Sequence, residues 1–271
     1  MSSPPAGPVA IFGGVYSNHL ALAETLADAR AAGAGAIYCL GDLGAFGPHP
    51  DRSCELLREA GVPVVQGNYD HSLGNDLDDC RCGYTDPRDN HFAALSYRYT
   101  YARTSPDHRA WMRTLPESLV IDIDGEQVLL CHGSPRRTNE FLWESTSSDG
   151  FLAWLLDRAG ADALCVSHTG LPWARVLPDG RRVVNVGAIG RPANDGDPRV
   201  VYALLHPRGA GQRGGDGLGV EWRRVAYDHE RLAREMEAEG LPEEFVETIG
   251  TGWWTTCLEV LPAKERARGR Y

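Results

Sequence analysis

The sequence predicts an α/β fold: a four-layer α/β/β/α sandwich of two mixed sheets with flanking helices, formed by a single domain over residues 1–271. Three observations predict it. Short apolar, β-branched runs alternate with helical segments through the first third. Two Asp-Gly pairs, Asp124-Gly125 and Asp179-Gly180, join strand-like runs into hairpins further on. No internal repeat or long linker divides the chain.

VAIFGG reads as the first strand and His19 to Ala32 as a helix, with Leu20, Leu22, Ala23 and Leu26 on one face. The strand AIYCLG (36–41), the helix Pro50 to Ala60 and a third strand, VPVVQG (62–67), follow. This order implies right-handed crossovers and a largely parallel first sheet. Residues 72–117 change to an acidic loop and two helical stretches, which reads as an insertion over one end of the sheet. From 119 the pattern turns mostly to β: the first hairpin, a helix at 149–159, a strand at 161–168, the second hairpin and the strand PRVVYALLHP. A Gly-rich loop (209–219), expected to be mobile, precedes VEWRRVAYD and a helical extension from about 229.

Composition narrows the function. With 37 acidic against 27 basic residues the net charge is -10 and the arginines are scattered, which argues against a nucleic acid duplex as partner. No apolar run is long enough to span a membrane, and the start lacks a basic segment followed by an apolar one, so a soluble cytoplasmic protein is expected. The seven cysteines are odd in number. Cys39, Cys54, Cys131 and Cys165 lie in apolar patterns and read as buried thiols, while Cys80 and Cys82 are expected in an exposed or partly buried loop. A C-x-C pair lacks the second pair that a thiolate zinc site needs.

In such folds chemistry sits on loops at strand ends. Five of these are polar and contain glycine: 13–18, 41–48, 67–71, 132–136 and 167–170. Four of them carry a candidate metal ligand, Asp42, Asn68, His132 and His168. Two imidazoles, a carboxylate and an amide oxygen suit Mn, Fe or Zn better than Ca.

The order of these loops resembles the calcineurin-like metallophosphoesterases over about residues 8–206. Gly41-Asp42 matches that family's G-D, and GDLGAFGPHP is similar to the run in bacterial members. LLREAGVPVVQGNYD, LLCHGSPRRTNEF and VNVGAIGRPANDGDPRVVYALL match the later segments. The departures are selective. The family's D-x-H pair is replaced by Gly14 and Tyr16, G-N-H-D reads Gly67-Asn68-Tyr69-Asp70, and G-H-x-H reads Ser167-His168-Thr169-Gly170. The resemblance therefore implies that the ligands private to one metal are lost, while the four that hold the other remain. A divergent member with a single transition metal (Mn, Fe or Zn) is expected, hydrolysing a small-molecule or nucleotide phosphate ester with metal-activated water. His19 and His71 are the residues that would have to rebuild the lost position.

The expected supporting residues are Tyr69, Asp70, His71 and Arg136 in catalysis, and Tyr16, Asn18, Arg136, Arg137 and Arg191 in substrate binding. Two alternatives remain at this level: a non-hydrolytic mononuclear non-haem iron enzyme, and a catalytically silent metal-stabilised binding protein. A homo-oligomer is left open.

Overall fold

A computed structural model describes residues 7–207 and 217–270; the Gly-rich loop expected at 209–219 lies, up to residue 216, outside them. The chain runs β1 (Val9–Phe12), α1 (His19–Ala31), β2 (Ala36–Cys39), α2 (Pro50–Glu59), α3 (Asn68–Gly74), α4 (Pro87–Arg103), α5 (Pro106–Arg113), β3 (Ser118–Ile123) and β4 (Glu126–Cys131). It continues with α6 (Asp149–Ala159), β5 (Ala163–Val166), β6 (Pro172–Val176), β7 (Arg182–Val186), β8 (Val200–His206) and β9 (Gly219–Val225). Three helices follow, α7 (His229–Ala238), α8 (Glu243–Thr251) and α9 (Ala263–Arg266).

The strands form two mixed sheets, ordered β2-β1-β8-β9 and β3-β4-β5-β7-β6. In the first, β1 is parallel to β2 and antiparallel to β8. In the second, β5 is parallel to both neighbours and hairpins flank it. Side chains alternate across a strand, and this sorts the core into layers. Ala10, Phe12, Tyr202 and Leu204 pack with Leu22 and Leu26 of α1 and with the helices of 87–113 and 229–251. Val9, Ile11, Ala203 and Leu205 instead meet Val128, Leu130, Cys165 and Val184 between the sheets. Leu129, Leu164 and Val183 pack beneath Leu152, Leu155 and Leu156 of α6.

The segment expected as a third parallel strand is only a bridge, Cys39 to Val64. Pro63 has no N–H to give to a ladder, and beyond the single Val65 N–H to Cys39 O bond the following amide, Gln66 N–H, is drawn off to Pro116 O. The chain then turns into α3, so Asn68 begins a helix and does not sit in an irregular loop. All seven cysteines are free and buried; this corrects the expectation for Cys80 and Cys82. No helix among the described residues is long and apolar enough to cross a membrane.

Candidate metal centre

Loops from both sheets meet at one end of the sandwich. Backbone bonds lay 13–18 along 41–47: Gly14 N–H donates to Gly41 O, Tyr16 N–H to Asp42 O and Ser17 N–H to Leu43 O. Ser167 and His168 N–H both donate to His132 O, which fixes the second pair of loops. Tyr16, Ser17, Asp42, Ala45 and Phe46 all have positive φ, between 44° and 113°. Such backbone is costly for residues with a Cβ and persists only where the surroundings dictate it.

Asp42, His132 and His168 offer ligand atoms that lie within 4.8 Å of one another, and among the described residues no other group of three His, Cys, Asp or Glu does so. Asp42 Oδ2 is 3.2 Å from His132 Nε2, which is 3.1 Å from His168 Nδ1. The far nitrogens settle the tautomers. His132 Nδ1 faces Leu40 O at 2.6 Å, and His168 Nε2 faces Cys82 O at 3.1 Å. A carbonyl only accepts, so those nitrogens carry the protons and, in the neutral rings, lone pairs converge beside a carboxylate. That arrangement repels itself unless a cation sits in it. Burial alone would lower His132, but the Asp42 carboxylate raises it above the ordinary imidazole value. Burial, with His132 next to it, drives His168 down to about 3. Burial also favours a neutral Asp42, yet the two histidines and the Tyr69 N–H hold its carboxyl below the usual range.

Asn68 completes the set in kind. Its Nδ2 donates to Cys80 O at 2.8 Å, while its Oδ1 is buried without a partner among the described residues. An orphan carbonyl oxygen is costly unless a ligand uses it. The donor set of imidazole, carboxylate and amide oxygen thus fits a transition metal, with second partners fixing each ring.

Tyr16 and Tyr69 line the same pocket with Phe46, Cys82 and Tyr84. The Tyr69 hydroxyl donates to Ser96 Oγ at 3.0 Å, so its proton is already committed. Asp70 has a different part from the one expected. Its carboxylate accepts from the N–H groups of Asp42, Leu43 and Gly67 at 2.8 to 2.9 Å and buckles two loops together. Burial and the Asp42 charge push it up to about 6.

His71 is exposed and bonded to Gln66 and Asn75, outside the pocket. His19 packs edge to face against His49 near Glu235. Neither is brought to the cluster. Asn18 caps α1 through Ala21 N–H and straps Gly190 O, which uses both ends of its amide. Arg136 forks onto Glu140, and with Arg137 it lines a separate cavity of about 380 Å³ on the outer side of His132. Neither arginine lines the pocket that holds Asp42 and His168.

Arg191 is placed beside Tyr16, at 5.7 Å from the ring centroid. The positions that would complete a second metal set are filled. A Cβ on Gly14 would meet the Tyr16 phenol at 2.9 Å, and one on Gly170 would meet the Trp254 ring at 3.4 Å and Arg191 Nη2 at 3.6 Å. Sequence reasoning missed Cys82, Tyr84 and Trp254, which come from the 72–117 region and the tail. The C-x-C spacing and the Trp253-Trp254 pair in a polar tail were the available signals.

A family model described as the calcineurin-like phosphoesterase superfamily domain matches residues 9–209. An uncharacterized protein of Methanocaldococcus jannaschii is 24% identical over 261 residues, covering 90% of this chain and 98% of its own. The crystal structure of a metallophosphoesterase from Sphaerobacter thermophilus superposes with TM-score 0.67 at 27% identity, covering 91% of this chain and 99% of that one. That of a hypothetical protein from Pyrococcus horikoshii reaches 0.74 at 22%, covering 92% and 99%.

Proposed function

Because the chain belongs to the calcineurin-like phosphoesterase superfamily, we propose that it is a metal-dependent phosphoesterase acting on a small-molecule or nucleotide phosphate ester through one Mn, Fe or Zn ion. Asp42, Asn68, His132 and His168 would hold the ion. The observation that carries the reading is the convergence of two imidazole lone pairs on the Asp42 carboxylate, next to a helix start whose Asn68 Oδ1 has no partner. A bound ion supplies Lewis-acid chemistry, making water more acidic and drawing charge from a phosphoryl oxygen.

The chain's own residues do the rest. Leu40 O and Cys82 O keep both imidazoles in the ligating tautomer. Asp70 holds the Asp42 loop at its strained φ of 54°. Tyr16, Phe46 and Tyr84 form aromatic walls that keep bulk water out; with its proton on Ser96, Tyr69 serves as a wall and positioning residue.

A second reading, a catalytically silent metal-stabilised binding protein, is favoured by how closed the site is. Asp42, Asn68, His132 and His168 are 1 to 8% exposed, and the pocket's free volume is about 10 Å³, roughly that of one water. Hydrolysis therefore requires some of the side chains that line the pocket to move aside. Elemental analysis of protein purified without added metal, with a p-nitrophenyl phosphate and nucleotide panel, separates the readings. About one equivalent of metal and chelator-sensitive turnover are expected; metal without turnover on any ester would leave the binding protein.

A further inference from the structure

Arg191 is 5% exposed, and its guanidinium makes no hydrogen bond or ion pair with any described residue; its buried Nε has no partner. It lies flat on Trp254, 3.4 Å from the ring centroid, with Phe46 at 5.0 Å. Cation–π contacts recover part of the cost of desolvation, but they leave the N–H donors unused. A buried cation normally has a counter-charge. Here no described residue supplies a counter-charge, while the surroundings hold the guanidinium rigidly: Trp254 is pinned through its Nε1–H to Pro192 O and its N–H to Asn194 Oδ1.

The place matters as much as the charge. Arg191 Nη2 and the Trp254 ring occupy the space in front of Gly170, two residues beyond His168, and the Tyr16 phenol occupies that in front of Gly14. The small pocket beside Arg191 adjoins the Asp42 pocket, with Phe46 lining both.

We propose that Arg191 is a fixed cation built in where the resemblance implies a second metal was lost, and that it binds the non-bridging oxygens of the substrate's phosphoryl group. This rests on the phosphoester reading of the adjoining metal centre. A guanidinium presents a planar fork that matches two phosphoryl oxygens and keeps its charge at every physiological pH. The division of labour follows: the metal centre supplies Lewis acidity, and Arg191 binds and orients the anion.

The test measures binding of inorganic phosphate to the metal-loaded protein by calorimetry, with turnover assayed separately. Arg191→Met should weaken phosphate binding at least tenfold at unchanged metal stoichiometry, and Arg191→Lys should recover part of the loss. Equal affinity in the wild type and Arg191→Met, or no phosphate binding to the wild type, overturns the proposal. Should the Met variant lose its tail packing, the Arg191 Nε–H resonance of the wild type decides: a shift on adding phosphate supports the contact, and an unmoved resonance overturns it. Phosphate bound through Arg191 with no ester turned over would sink the hydrolase reading alone. Turnover with affinity indifferent to residue 191 would sink this one alone.

Discussion

Replacing Asp70 tests whether this carboxylate builds the site or takes part in the reaction. It accepts three buried backbone N–H groups, from Asp42, Leu43 and Gly67. Asp70→Ala leaves all three without an acceptor. A buried donor stripped of its partner costs about 1–3 kcal/mol, so the sum is roughly 3–9 kcal/mol before relaxation. Water entering the space of the lost carboxylate satisfies some donors, which brings the expected loss to about 3–5 kcal/mol, a large share of the roughly 5–15 kcal/mol available to a typical fold. Because Asp70 titrates near 6 in the folded state, the comparison belongs at about pH 7.5, where the carboxylate is ionised. Urea unfolding of the metal-free proteins reads the stability, and elemental analysis reads the metal. Both should fall together, since the Asp42 backbone loses its anchor. A variant within about 1 kcal/mol of wild type, full of metal yet inactive, would refute this reasoning and return Asp70 to the supporting part in catalysis that its sequence context suggested.

Three other outcomes are expected. His132→Ala should abolish metal binding from a wild-type value of about one equivalent per chain; two equivalents after saturation with Mn would show a second position that the geometry does not provide. Gly170→His should not create a second metal position, because residue 170 has φ of 71° and its Cβ would face Trp254 and Arg191; a melting temperature lowered by the ~1–2 kcal/mol of left-handed strain, with unchanged metal content, is the check. Burial lowers His19 to about 4, below the ~6.5 of an unfolded imidazole. The unfolded state therefore takes up the extra proton between those values, and the metal-free protein should lose stability as pH falls through that window. Thermal melts from pH 7 to 4 should show a shallower fall in His19→Gln; an identical profile would remove His19 from the account.

The layers were legible in the sequence because they rest on local periodicity. VAIF and VVYALLH are apolar on both faces, as central strands must be, and the Asp-Gly turns announced the hairpins. The metal-site candidates were legible as strand-end polar residues, and Asp42, His132 and His168 do converge. What the sequence left open was which partner each polar side chain takes. Asp70 and Asn18 look like site residues, yet both are spent on backbone groups 28 and 172 positions away. Arg136 and Arg137 follow a ligand histidine in sequence, but the Ser134–Arg137 turn sends them to the outer cavity. The tail carried no strand-end signal, and only packing shows that it reaches the centre.

That reach sets a schedule for folding. A ribosome releases residues 9–225, with both sheets and every candidate ligand, before Trp254 emerges. Until then Gly170 lacks the Trp254 ring in front of it, and Arg191 has only the Tyr16 and Phe46 rings beside it. The nascent chain therefore has the layered scaffold before it has a closed pocket, and the docking of the tail is the step that turns an open candidate metal centre into a shielded one.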